Sequence, residues 1–347
     1  MSNRTDVRLE EGRMGNQTDV RLDEAPGLRT EREATPGSAG RGSRSLRPPE
    51  PDAGSYYGLP VLNATPWSDR DIAGYLFLGG LAGASSTLAA AAELTGRPAL
   101  ARAAKVAALG AVGGSLYVLI HDLGKPSRFL NMLRVFKVTS PMSVGTWILT
   151  AYGPQAGLAA ATELTGLFPR LGRVATVGAG LAGPALATYT AALICDTAVP
   201  AWHDGFREMP FLFAGSAAAS AGGLGMLAAP VAQAAPARRV ALLGAALEFA
   251  AATRMERRMG LTAEPLRRSR LLKAGQALSV AGALLGQGLG RRSRVAAAAA
   301  GAALLAGSVC TRFGVFHAGT ASARDPRYTV EPQRQRLAKS RAERDLT

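Results

Sequence analysis

Apolar residues run almost uninterrupted through the middle of the chain, in windows parted by short polar breaks. The clearest are Ile72 to Ala92, Val106 to Ile120, Val138 to Thr162, Val174 to Cys195, Met209 to Ala237, Ala274 to Gly290 and Val295 to Thr311. An eighth, Val240 to Thr253, is interrupted by Glu248. A bilayer core needs about twenty apolar residues per helix. The pattern therefore predicts an all-α integral membrane protein with eight transmembrane helices in two four-helix bundles. Eight spans place the two polar tails on one side of the membrane, which seven would not.

The breaks contain a repeat. Glu93-Leu94-Thr95-Gly96 returns as Glu163-Leu164-Thr165-Gly166, each copy preceded by an Ala-rich helix and followed by a proline and the next apolar span. Gly96 and Gly166 suit the left-handed position after a helix C-terminus, and Pro98 and Pro169 stop the preceding helix. Helices one and two thus form a hairpin that helices three and four repeat in the same direction. Small-residue pairs four apart, Gly79 with Gly83, Gly110 with Gly114 and Gly282 with Gly286, predict close helix packing.

Composition divides the 347 residues into a tail, a membrane domain and a second tail. Residues 1–55 hold few large apolar side chains and many Arg, Glu, Gly and Pro, so they cannot bury a core and are expected to be disordered. Within them Asn3 to Glu11 and Asn16 to Glu24 are near-copies, and neither resembles a signal peptide. Residues 56–330 form the membrane domain, and 331–347 a charged C-terminal tail. The net charge of +15 does not predict nucleic-acid binding, because the Lys and Arg residues lie in loops and tails without interleaved aromatics. Most of them fall on the side of the termini, here called side A, with the loops at 121–141, 196–209 and 254–273. Side B has only short turns. The positive-inside rule puts side A in the cytoplasm of a cell membrane. Trp67, Trp147 and Trp202 fit an interfacial aromatic belt, and Cys195 and Cys310 read as inert thiols near the ends of helices four and eight.

His121, His203 and His317 fall just past the ends of helices two, four and eight, all on side A. A b-type cytochrome needs axial histidines at membrane depth on facing helices, so a haem in this chain is not expected, nor a metal. The densest polar cluster is His121-Asp122-Leu123-Gly124-Lys125-Pro126-Ser127-Arg128-Phe129. A histidine beside a carboxylate can pass protons, and the following Lys125 and Arg128, with Arg134, can hold an acidic partner surface. Tyr189, Asp196 and Trp202 around the end of helix four, and Arg70, Asp71 and Tyr75 at the start of helix one, share side A with this cluster. An aromatic hydroxyl, a carboxylate and a histidine at the lipid interface suit a quinone head group, which needs donors when oxidised and acceptors when reduced. Glu248 admits two readings: a step of a proton path, since a carboxylate at membrane depth marks function, or a side chain satisfied by a neighbour such as Gln276 or Gln287.

Tyr56-Tyr57-Gly58-Leu59-Pro60, Leu78-Gly79-Gly80-Leu81-Ala82-Gly83, the stretch from His121 to Phe129, Thr139-Ser140-Pro141-Met142 with Trp147, and Tyr189-Thr190-Ala191 leading to Pro200-Ala201-Trp202 together resemble the NrfD/PsrC family of polysulfide reductase membrane subunits. The resemblance covers roughly residues 55–330. It implies an eight-helix, haem-free subunit that exchanges electrons between menaquinone or ubiquinone and an iron–sulfur, ferredoxin-like subunit, which feeds a molybdopterin-type catalytic subunit. Tyr189 matches the family's helix-four tyrosine at the quinone pocket. Asp71 and Tyr75 lie where the family supplies another polar quinone contact, Tyr75 standing where some relatives have histidine. Asp122 matches the acidic residue before the family's basic turn, to which Lys125 and Arg128 belong. From other classes, a transporter or a passive membrane anchor for a peripheral enzyme remains open.

Overall fold

The computed structural model describes residues 62, 67–122 and 131–345. The tail at 1–55 with its tandem copy, the motif from Tyr56 to Pro60, and the turn carrying Lys125 and Arg128 lie outside the described residues. The described residues contain helices and no strand. The long helices are α1 (Asp69–Leu94), α2 (Pro98–Asp122), α3 (Pro141–Thr165), α4 (Pro169–Cys195), α5 (Met209–Ala228), α6 (Ala235–Met259), α7 (Arg270–Gln287), α8 (Arg294–Arg324) and the C-terminal α9 (Arg327–Asp345). Of these, α1, α2, α4, α5 and α8 are long and apolar enough to cross a membrane. The chain is an integral membrane protein.

Local chemistry sets the helix starts. Pro98, Pro141 and Pro169 each open a helix at the first position, where the missing N–H costs nothing. The hydroxyls of Ser68, Ser269 and Ser293 each accept an otherwise orphaned N–H of a first turn. At the repeated motif, Gly96 and Gly166 are left-handed, with φ of 66° and 72°, the conformation expected of a glycine just past a helix C-terminus.

Two boundaries differ from the expectation. The window from Met209 to Ala237 is two elements: α5 stops at Ala228 and a turn at Pro230 leads into α6 at Ala235. Alanine is apolar in turn and helix alike, so hydropathy did not mark the break. The last window runs well past Thr311, as α8 continues to Arg324 before Asp325-Pro326. Arg312 had the look of a boundary, but it is a fully buried residue within the helix. Consequently His317 lies inside α8, His121 is in the last turn of α2, and His203 closes a short helical turn, Pro200–His203.

Helix α1 is at the centre of the packing, touching α2 and α4 as well as α5 and α8. In the first half α3 closes the ring by packing on α2 and α4; in the second, α5 packs on α6 and α8, and α7 on α6 and α8. The tightest crossing of α1 and α4 is at Gly83 and Gly183, where a Cβ on either residue would overlap the other's carbonyl oxygen. Gly110, expected in a packing pair, faces open space instead, while its partner Gly114 meets Leu78. Tyr152 is fully buried and pins α3 to α1, donating to the Ala82 carbonyl at 2.7 Å with its oxygen also 2.7 Å from Ser86 Oγ.

Contacts fix which helix ends lie together. At the end opposite the termini, Lys105 of α2 meets Glu93 and Glu163, one from each copy of the repeated motif, at 2.8 and 2.9 Å. There the turn after α5 also ties to the turn after α1, Gln233 Oε1 accepting from the Ala99 N–H at 2.8 Å. At the terminal end, Asp69 pairs with His317 and Asp71 with His121, at 3.2 and 3.3 Å.

Candidate functional site

Where α3 begins and α4 ends, a cleft of about 710 Å³ opens between them. Pro141, Val144 and Ile148 of α3 and Ala185, Ala192 and Cys195 of α4 give it an apolar body; Tyr189, Asp196 and His203 supply the polar groups, with Phe206 and Pro210 completing the wall. Asp196 and His203 are exposed, whereas Tyr189 is 9 % exposed. A mostly apolar cavity of this size with a few polar groups is the usual form of a small-molecule site.

Two neighbours place Tyr189. From α1, Tyr75, itself 2 % exposed, donates its hydroxyl proton to the Tyr189 oxygen at 3.3 Å. From α3, Gly145 lies flat against the ring, and a Cβ there would overlap Tyr189 Cζ and its hydroxyl. The accepted bond orients the tyrosine and leaves its own O–H for a ligand oxygen.

The expected residues therefore fall into two groups on one face. Tyr189 and Asp196 line the cleft, and Tyr75 touches it through Tyr189. Asp71, His121 and Asp122 form a second cluster over the start of α1 and the end of α2: His121 Nδ1 is 3.3 Å from Asp71 Oδ2, and Asp122 sits within electrostatic reach of both. None of these three lines the cleft, although Asp71 stands one helical turn from Tyr75 on α1. Arg134 is exposed beyond α2; Lys125 and Arg128 lie outside the described residues. His203, given no role from sequence, belongs to the cleft. Its only signal was its place just after helix four.

Trp202 departs from the aromatic belt. It is fully buried, stacked 6.0 Å from Trp67 and tilted 5.4 Å from Phe316, and its indole N–H donates to the Val315 carbonyl at 2.9 Å. It fastens the turn after α4 to α8, next to the cleft. Trp147, by contrast, is partly exposed and edge-on to Phe136.

Glu248 lies at mid-helix in α6 and is 1 % exposed. Neither Gln276 nor Gln287 is its hydrogen-bond partner. Thr311 Oγ1 donates to Glu248 Oε1 at 2.6 Å, and Gln287 instead donates to the Arg238 carbonyl. Around it gather Ser216, bonded to Ser308 at 2.9 Å, with Ser279 and the buried Arg312. Arg312 donates to the Phe213 carbonyl at 2.8 Å and lies 3.7 Å over the Phe213 ring. Glu248 Oε2, Ser279 Oγ, and Arg312 Nε and Nη1 have no hydrogen-bond partner among the described residues. A buried polar atom left without a partner costs about 1–3 kcal/mol, and such polar groups are concentrated at this point between α5, α6, α7 and α8. Arg312 was the missed member; apolar Val309 and Cys310 before it and Phe313 after it were the signal.

Among the described residues no group of three or more His, Cys, Asp or Glu side chains is arranged to hold a metal ion. Residues 62–253, more than half of the chain, match the family model described as "Polysulphide reductase, NrfD". No curated protein matches the chain.

Proposed function

Because the chain belongs to the polysulphide reductase NrfD family and is thus a membrane subunit of a redox enzyme complex, we propose that it reacts with quinone or quinol in the cleft beside Tyr189. In this reading eight spans form two four-helix bundles, α1 to α4 and α5 to α8, supported by the closed packing of each set. Electrons pass to an iron–sulfur, ferredoxin-like partner feeding a molybdopterin-type catalytic subunit, and no haem takes part. The observation that carries the proposal is the buried Tyr75-to-Tyr189 hydrogen bond at the wall of an apolar cleft.

Oxidation of a quinol releases two electrons and two protons. Tyr189 holds one ring oxygen, donating to a carbonyl or accepting from a hydroxyl. Asp196 and His203 at the mouth accept a proton from the other oxygen. Tyr75 connects the cleft toward Asp71, from which His121 and Asp122 return protons to the side-A water. Glu248 with Arg312 serves as a proton step in the second bundle. Arg134, with Lys125 and Arg128, receives an acidic surface of the electron partner, and the basic loops set side A in the cytoplasm.

Tyr189→Phe in the assembled complex tests this. The partner subunits should still co-purify while quinol-linked turnover falls by about 100-fold, the scale of a lost positioned proton donor. Unchanged turnover would instead make the chain a passive anchor, and solute uptake in proteoliposomes would make it a transporter.

A further inference from the structure

Next to Phe206 and Pro210 at the wall of the Tyr189 cleft, the side-A ends of α5 and α6 carry two adjoining clefts that no part of the quinone reading uses. One, of about 320 Å³, lies between Arg207, Phe211, Leu247 and Arg254; the other, of about 610 Å³, lies between Phe249, Thr253, Arg254 and Arg257. Ala250 and Arg254 line both. Their floors are apolar and open outward: Phe211, Leu247 and Phe249 are all exposed large side chains. Their rims are cationic. The Arg254 side chain is 81 % exposed, and Arg207 and Arg257 are exposed as well.

The acidic group at the rim is already neutralised. Glu208 is buried and gripped by Arg258, whose Nε lies 2.8 and 3.0 Å from the two carboxylate oxygens and whose Nη2 lies 2.7 Å from Oε2. Arg254 approaches the same carboxylate only at 3.7 Å. The rim thus retains the positive charge of Arg207, Arg254 and Arg257 directly above two apolar troughs.

We propose that this pair of clefts binds one anionic glycerophospholipid, its phosphate held by Arg207, Arg254 and Arg257 and its two acyl chains lying on the troughs either side of Ala250. Charge complementarity selects an anion, as at other basic pockets beside transmembrane helices. The outward apolar floors select a lipid over a free phosphate, which has nothing to place there, and over a peptide, whose backbone would be unsatisfied in hydrocarbon. The proposal rests on α6 spanning the membrane and is independent of the quinone reaction.

The full-length protein, reconstituted in nanodiscs of phosphatidylcholine doped with phosphatidylglycerol and then analysed by native mass spectrometry, should retain one phosphatidylglycerol. Arg254→Gln with Arg257→Gln should reduce that retention at least tenfold, and Arg254→Lys with Arg257→Lys should keep most of it. Equal retention by the Gln variant, equal retention of phosphatidylcholine, or displacement by millimolar inorganic phosphate would overturn the proposal. Should the Gln variant fail to fold, the wild-type protein decides the matter with a phosphatidylglycerol carrying a photoreactive acyl chain. Adducts at Phe211, Leu247 or Phe249 support the site. Adducts confined to other helices overturn the site. A phosphatidylcholine with the same photoreactive chain then separates the causes: its labelling of α6 leaves the span standing, and its failure to label α6 overturns the eight-span reading too.

Discussion

Tyr75 of α1 gives its phenolic proton to Tyr189 of α4 across 3.3 Å, inside a contact where both side chains are buried. A net hydrogen bond contributes about 0.5–1.5 kcal/mol, so Tyr75→Phe should leave Tyr189 in place but less firmly aimed. Quinol-linked turnover is expected to fall by about three- to tenfold, less than for Tyr189→Phe. Stopped-flow oxidation of a water-soluble quinol by the assembled complex measures both.

Gly145 tests the cleft from its other wall. Gly145→Ala would drive a methyl into the Tyr189 ring, which must swing away or push α3 aside; overpacking of this kind costs about 1–3 kcal/mol. Turnover should fall as far as in Tyr189→Phe. Gly153→Ala, where an added methyl meets nothing within 4 Å, should leave activity unchanged and thermal stability unchanged or slightly raised.

Acid should loosen the side-A end of α5. Hydrogen bonding from Arg258 holds the Glu208 carboxyl below its ordinary value, against the opposing effect of burial. A lowered folded-state value means stability that is fully present above the unfolded glutamate value, about 4.3, and is lost as pH falls through the folded value. Melting temperature in detergent should therefore drop on acidification below about pH 5. Glu208→Gln should melt lower at pH 7 and show a shallower acid decline.

At the opposite end, Lys105 is 5 % exposed and answers two carboxylates. Lys105→Met leaves Glu93 and Glu163, 24 % and 27 % exposed, facing each other without a cation, and solvent screening of such partly exposed carboxylates keeps the loss to about 1 kcal/mol. Thermal unfolding should show that loss. Adding Glu93→Gln and Glu163→Gln to Lys105→Met should recover most of it.

The helices were legible because lipid-compatible segments are a matter of composition, and the glycine-ended hairpins because a left-handed turn needs a particular residue. Side-chain company was not legible. Arg312 read as the edge of a span because charge normally is; only the fold reveals that Phe213 and the Glu248 nest receive it. Trp202 read as interfacial because its neighbours in sequence are a loop, yet α8 covers it from far along the chain. Tyr189, Tyr75 and Asp196 could be placed on one face by counting helix ends, but Asp71, His121 and Asp122 share that face without sharing the cleft. Which side of a helix a residue takes depends on rotations that end-counting ignores.

Tyr75 and Gly145 are separated by the same interval as Glu93 and Glu163, so they occupy matching sites in the two copies of the hairpin. At the closed end the copies still act alike, each lending a glutamate to Lys105. Around Tyr189 they have parted ways: one presents a phenol, the other a bare backbone. A perfectly symmetric duplicate would surround that tyrosine evenly and leave no preferred direction of approach. The contrast between Tyr75 and Gly145, a phenol on one wall and bare backbone on the other, gives the tyrosine between them a front and a back.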